Sequence, residues 1–470
     1  MTHRSVLVLG GGITGLTCAY TLAQRGIDFL LIEKEARLGG TIRTQQIDDF
    51  ILDTGPDAFL TQKPEALSLC RELGLESRLV PTNPDHRNVF IFRGGRLHPL
   101  PEGMVLTVPT RILPFVLSGL FSPWGKLRMG LEVLIPPRRA EREESIASFI
   151  KRRLGREALE RLAEPLLAGI HSGDPELLSM DQLFPRFVAL EQKYGSLIRG
   201  MRRIRPRGDS PSSRTVFMSL AGGLSELIET LAAKLPKSAV RCGTEVIGIE
   251  RDGPNYRVQT SSGECHTTNA LVLSLPIKAT KELSRGLSSD FTPILSKLRT
   301  VSTTIVFLAF RREEVRHPLD GYGFVVPVTE GLRIQAGTFV STKFPNRSPS
   351  SHVLLRAFFG GGRDPTAVDL SDRELVDLAI KELGEILGPL PVPVLERVYR
   401  WSDATPQVEV GHRETLTAIE KILHRFPGLE IAGNGIRGVG IPDCISDGRR
   451  RAESVLRFLA DESPPREPLD

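Results

Sequence analysis

The sequence predicts an α/β protein: a discontinuous Rossmann-like dinucleotide-binding domain joined to a mixed β-sheet domain and a helical domain. Three observations predict it. The chain opens on a strand, a glycine turn, a helix and a second strand, beginning Ser5-Val-Leu-Val-Leu-Gly10. Alternating strands and helices return at residues 213–285 and again after 405, so one cofactor domain is drawn from three separated stretches. Residues 298–400 read mainly as strands, whereas 103–208 have little strand character. A chain of 470 residues also exceeds what one core usually organises. The expected division is 1–85, 213–285 and 405–470 for the cofactor domain, 86–212 for a hairpin and helical domain, and 286–404 for a substrate-binding sheet.

The opening turn carries the chemistry. Gly10, Gly12 and Gly15 stand at the spacing G-x-G-x-x-G, with Gly11, Ile13 and Thr14 between them. The first glycine allows the tight turn, the second lets backbone approach a pyrophosphate, and the third lets helix pack on strand. Free N–H groups and the positive dipole end of the following helix favour an anion there. The second strand ends at Glu33, where a carboxylate can take up a ribose hydroxyl. An acidic group at that point favours a ribose without a 2′-phosphate, as in FAD or NAD rather than NADP.

The remaining elements follow in order. Residues 47–53 read as a strand, Gly55-Pro56-Asp57-Ala58 as a turn back toward the cofactor, and 64–73 as a helix. A hairpin over 88–97 turns at Gly94-Gly95. Residues 104–121 are largely apolar, but Pro109, Arg111 and Pro114 rule out a membrane-spanning helix. A core or channel-lining helical segment is expected, with peripheral membrane docking, aided by Lys126, Arg128, Arg138 and Arg139, as the alternative. Helices are expected at 145–154 and 156–168, and the basic, proline-containing run 201–213 as a surface loop. A helix over 224–235, a hairpin of 240–250 with 256–262 and a strand over 270–275 return to the cofactor domain. Strands at 303–310, 323–327, 333–340 and 352–359, with a helix over 372–387, form the substrate sheet. A strand at 428–434 and a last helix to about residue 459 close the chain. That helix begins near Gly440 to Asp443, offering a second N-terminal dipole to an electron-rich ring.

Composition narrows the function. A net charge of +5 with basic residues clustered only locally does not imply a nucleic-acid partner. Five scattered cysteines without a C-x-x-C pair point to a reducing compartment, no disulfide framework and no metal site. No basic-then-apolar leader precedes the first strand, so a cytoplasmic protein is expected. Homo-oligomerisation stays open.

Further strings bring a family into view: Arg37-Leu-Gly-Gly40 after the ribose carboxylate, Gly55-Pro56-Asp57, Glu164-Pro-Leu-Leu-Ala-Gly-Ile-His-Ser-Gly-Asp174, Gly321-Tyr-Gly-Phe-Val-Val-Pro327 and Gly438-Val-Gly-Ile-Pro-Asp-Cys-Ile445. With these the chain resembles the oxygen-dependent porphyrinogen oxidases, flavoproteins of haem synthesis that share the flavin amine oxidase fold. The resemblance implies FAD as cofactor. It places FAD contacts at Gly10 to Gly15, Glu33, Lys34, Thr41, Gly55, Pro56, Asp57, Ala58, Val246, Trp401, Val439, Gly440 and Ile441. On the substrate side it implies the Gly169 carbonyl, with Val325, Gly337 and Phe358 lining the cavity. His171 is expected to be a satisfied structural histidine, and no side-chain base is assigned.

Members acting on protoporphyrinogen IX place an arginine just before the hairpin strand, where this chain has Val89. The strings Gly94-Gly-Arg-Leu-His-Pro-Leu-Pro101 and Gly119-Leu-Phe-Ser122 are more similar to the branch acting on coproporphyrinogen III, in which Lys63 is a candidate propionate partner. The implied reaction is oxidation of coproporphyrinogen III, with hydride passing from a meso carbon to flavin and O2 as acceptor. Protoporphyrinogen IX oxidation is the first alternative. A flavin amine oxidase is the second, although two Trp and five Tyr give little material for an aromatic cage.

Overall fold

The computed structural model describes residues 2–105, 107–138, 142–204 and 216–462. The first strand, Thr2–Leu9 (β1), is buried on both sides where it turns apolar: Val6 and Val8 enter one core, Leu7 and Leu9 the other. A strand apolar on both faces belongs inside a parallel sheet covered by helices. β1 runs parallel to Phe29–Ile32 (β2) on one side and to Cys265–Leu273 on the other. Val240–Arg241 extends the sheet beyond β2, and Leu429–Ile431 pairs with the end of Cys265–Leu273. Three distant stretches of chain therefore share one sheet. The helices Ile13–Gln24 (α1) and Ile441–Glu462 cover one face; Ile277–Ser284, Phe291–Leu295 and His412–Leu423 cover the other.

The second large sheet is ordered Leu395–Gln407, Arg299–Arg311, His352–Gly360, Ala336–Phe339, Gly321–Val325, Asn88–Arg93 and Arg96–Pro99. One face packs Phe90, Phe324 and Phe339 against the helix Asp372–Leu387. That helix starts where Ser371 and Glu374 form a capping box, which satisfies two otherwise orphaned N–H groups. The other face sends Ile91, Val325 and Ala336 into a helical core with Phe149, Leu162 and Leu167. At the centre of the helical unit Arg153, fully buried, pairs with the equally buried Glu132 and donates to the carbonyls of Ile135 (2.8 Å) and Gly195 (3.0 Å). Glu132 also accepts from Ser196 Oγ (2.6 Å) and the Leu197 N–H (2.8 Å).

Several expectations need correction. The 88–97 hairpin forms, but it extends the second sheet, parallel to Gly321–Val325, instead of standing with the helices. The expected arm 240–250 divides, Val240–Arg241 joining β2 and Val246–Asp252 making the hairpin. Among the described residues of the apolar 104–121 segment only Ile112–Leu117 is an α-helix, which starts after the short strand Val108–Pro109 and takes Pro114 into its first turn. The segment's side chains divide: Val108, Phe115, Leu120 and Phe121 are buried in the helical core, whereas Leu113 is 69%, Leu117 75% and the nearby Trp124 79% exposed. Among the described residues no helix is long and apolar enough to cross a membrane. The first residues of the run 201–213 belong to the helix Leu197–Ile204, and its remainder lies outside the described residues.

Candidate active site

The glycine turn after β1 shows a separate physical reason for each glycine. Gly10 sits at φ +102°, and a Cβ there would lie 2.2 Å from the Ser274 carbonyl oxygen. At Gly15 a Cβ would lie 2.0 Å from the Gly10 oxygen, so only hydrogen lets α1 approach the strand. A Cβ at Gly12 would meet no atom within 4 Å, although this residue starts α1 and no side chain caps the helix there. Bare N–H groups thus face open space, the arrangement an anionic diphosphate fills.

Around this turn the expected cofactor residues assemble. Glu33 accepts from the Gly11 N–H (2.6 Å) and the Glu35 N–H (2.8 Å), which holds its carboxylate beside the turn. The Gly39 N–H donates to the Gly11 carbonyl (2.8 Å), laying the 37–41 loop along Gly11 and Gly12. Thr41 touches the next turn, because a Cβ on Gly55 would stand 1.8 Å from its carbonyl oxygen. Trp401 donates its indole N–H to the Thr54 carbonyl (2.6 Å). The Thr244 N–H donates to the Glu33 carbonyl (2.9 Å), which brings the strand beginning at Val246 close. The helix beginning at Ile441 passes α1 closely, since a Cβ on its Gly448 would lie 2.4 Å from the Thr14 oxygen.

Two charged side chains point elsewhere. Lys34 gives its ammonium to Glu245 (2.8 Å) at the surface, which leaves only its main chain for a cofactor. Asp57 is held by Lys343 at 2.7 Å, and the ammonium and guanidinium groups around it keep its carboxyl below the usual range against the cost of burial. Asn434 was not anticipated. It lies in the loop between Leu429–Ile431 and the last helix, and its side-chain Oδ1 is buried without a partner among the described residues. A buried acceptor left open costs about 1–3 kcal/mol, so a donor from a bound group suits this place. The glycine cradle and this orphaned oxygen fit a flavin nucleotide.

Beyond the turn lies a second surface. A Cβ on Gly169 would meet Val325 Cγ1 at 3.3 Å and the Ala336 Cβ at 3.5 Å, and Ala336 stands opposite Phe358 in the sheet. Gly169 lies in the last turn of the helix Glu164–His171, and among the described residues its carbonyl accepts no hydrogen bond. Gly337 departs from expectation. The space its side chain would take holds the Phe324 ring, 2.4 Å from an ideal Cβ, on the sheet face opposite Val325 and Phe358. Lys63 also departs, because its ammonium is bound by both carboxylate oxygens of Asp443 (2.6 and 2.7 Å) in the first turn of the last helix.

His171 was expected to have its hydrogen bonds satisfied. Its ring instead meets Phe184 edge-on with centroids 6.1 Å apart, and it makes no side-chain hydrogen bond among the described residues. Burial, reinforced by the Lys63 ammonium, lowers its pKa from 6.5 to about 4. Between those values the unfolded chain binds a proton that the folded one does not, so stability present above pH 6.5 is lost as pH falls toward 4. His171→Asn is expected to flatten denaturation free energy against pH across that window, and an unchanged slope would contradict the assignment.

The family model described as flavin-containing amine oxidoreductase matches residues 13–456. A coproporphyrinogen III oxidase of Bacillus subtilis (strain 168) is 34% identical, over 97% of this chain and 98% of the relative. Protoporphyrinogen oxidase 2 of Arabidopsis thaliana is 27% identical, over 100% and 97%. A crystal structure from Exiguobacterium sp. 255-15 superposes with a TM-score of 0.87 at 33% identity, covering 97% and 99%. Reduced UDP-galactopyranose mutase, at 17% identity and a TM-score of 0.73 over 97% and 96%, shares the fold. The glycine cradle, the sheet assembled from three stretches and these likenesses lead to one conclusion: the chain belongs to the flavin-containing amine oxidoreductase family.

Proposed function

We propose that the protein oxidises coproporphyrinogen III to coproporphyrin III with FAD as cofactor and O2 as acceptor. One observation carries the reading: Gly169, whose carbonyl accepts no hydrogen bond among the described residues, lies against Val325 and Ala336, with Phe358 opposite Ala336 in the sheet. A flat apolar macrocycle with inward N–H groups needs such a face and one acceptor. Coproporphyrinogen III oxidases 32–34% identical over 97% of the chain support the substrate class. FAD rather than a mononucleotide is supported by the open space at Gly12 for a diphosphate and by Glu33 for a second ribose.

When bound, the flavin supplies hydride acceptance from a meso carbon and electron transfer to O2, with hydrogen peroxide as product. The protein's part is positioning. The Gly169 oxygen, at the negative end of its helix, accepts a pyrrole N–H. Val325 and Phe358 hold the ring and exclude water. The N-terminus at Ile441 favours negative charge at the flavin ring. Asp57 is already engaged by Lys343, and the cations Arg356 and Lys63 donate to the Gly55 carbonyl and Asp443, so none of the three serves as a base. Val89 lies beside Gly323 and shares its strand face with Ile91, so no cation stands there for a propionate. We extend the proposal to a cytoplasmic protein, in keeping with five free cysteines. Leu113, Leu117 and Trp124 would touch a lipid surface peripherally.

Side-by-side kinetics decide the substrate. Coproporphyrinogen III is expected to show the higher kcat/KM, and a clear preference for protoporphyrinogen IX would overturn that choice. Turnover of primary amines in place of either porphyrinogen would favour the amine oxidase reading.

A further inference from the structure

A buried charge cluster joins the two halves of the site. Asp53 pairs with Arg347 (3.3 Å), and Asp57 with Lys343 (2.7 Å) and Arg356 (3.9 Å). Three cations thus face two carboxylates. The terminal nitrogens of Arg347 also donate to the carbonyls of Leu220 and Ala221 and to Ser219 Oγ, each at 2.9 Å. Arg356 is the surplus cation, and its shortest contact is the Gly55 carbonyl (2.5 Å) in the turn proposed to hold the flavin. Its guanidinium carbon also lies 4.5 Å from the centroid of the Phe358 ring, two residues along the same strand and on the same face. Arg356 is 4% exposed, and burial disfavours its charge while Asp57 and Asp53 oppose that.

An apolar side chain would fill such a place more cheaply if packing were all that was needed. The turn itself needs an outside support. Among the described residues the N–H groups of Gly55, Asp57 and Ala58 find no acceptor, the Thr54 carbonyl accepts from the Trp401 indole and the Gly55 carbonyl from Arg356, while the Thr54 N–H and hydroxyl donate to the Arg43 carbonyl. We infer that Arg356 is a positioning residue that keeps the Gly55 turn and the Phe358 ring at a fixed separation, so that flavin and macrocycle meet at the reacting distance. This rests on the proposed flavin and porphyrinogen sites.

The test uses the holoenzyme, with R356M and R356K. Removing Arg356 leaves Asp57 its Lys343 partner, so R356M is expected to fold with a circular dichroism spectrum like the wild type. Its flavin absorbance band, read without substrate, is expected to shift. Its limiting rate of anaerobic flavin bleaching by coproporphyrinogen III is expected to fall about tenfold or more, with a smaller change in half-saturating concentration. R356K still donates to Gly55 but loses the planar stack, so it is expected to restore the absorbance band while keeping a slowed limiting rate. A wild-type band in R356M, or a wild-type limiting rate in either variant, would overturn the inference. Failure of coproporphyrinogen III to bleach the wild-type flavin would instead defeat the substrate reading, and the shift of the R356M band would still test the link to Gly55.

Discussion

Gly12→Val protein is expected to purify folded and colourless, without flavin. Gly12 is extended at φ −69° and ψ 173°, a conformation valine adopts without strain, and its Cβ would meet no protein atom within 4 Å. The added side chain therefore costs the fold little and occupies the space at the helix N-terminus proposed for the diphosphate. Gly15→Val is the contrasting variant. Its Cβ would stand 2.0 Å from the Gly10 carbonyl oxygen, so it should impair folding itself. The flavin absorbance of purified protein and its circular dichroism separate the two outcomes. Stoichiometric flavin in Gly12→Val would defeat the cofactor assignment.

Arg153→Ala is expected to give the largest loss of stability. Arg153 and Glu132 are both fully buried, and Glu191 stands 3.5 Å from the same guanidinium. Truncating the cation leaves Glu132 charged, dry and opposed only by Ser196 Oγ and backbone N–H groups. Removing one partner of such a pair costs about 3–5 kcal/mol. The loss should appear as an earlier denaturant midpoint for the helical unit, while the flavin band, whose cradle lies elsewhere, keeps its position. A midpoint equal to the wild type would show that the pair is not the support proposed here.

What could be read before the fold was known follows from the range over which each residue acts. The glycine turn was legible because Gly10, Gly12 and Gly15 act on neighbours within the turn, and β1 because a strand buried on both faces is apolar throughout. The helix Asp372–Leu387 was legible to its ends, since Ser371 and Glu374 mark its start. The strand Leu395–Gln407 was not anticipated. It is an edge strand with partly exposed side chains, so Glu396, Arg397 and Asp403 break any apolar run. The helix His412–Leu423 was missed as well. Pairings such as Lys343 with Asp57, 286 residues apart, carry no local signal. Gly337 was misplaced because strand alternation decides which face a residue takes, and the resemblance gave its neighbourhood without its face.

The sheet that carries the cofactor cradle has a consequence for the order of events during synthesis. β1 precedes the helix at Ile441, and it precedes its own parallel partner Cys265–Leu273 by some 260 residues. Until then the apolar edge of β1 has only β2 beside it, and such edges invite aggregation. Closing the proposed cofactor site therefore needs chain as far as Leu429 and beyond, and a ribosome stalled before it would release a chain with every glycine of the opening turn and no closed sheet.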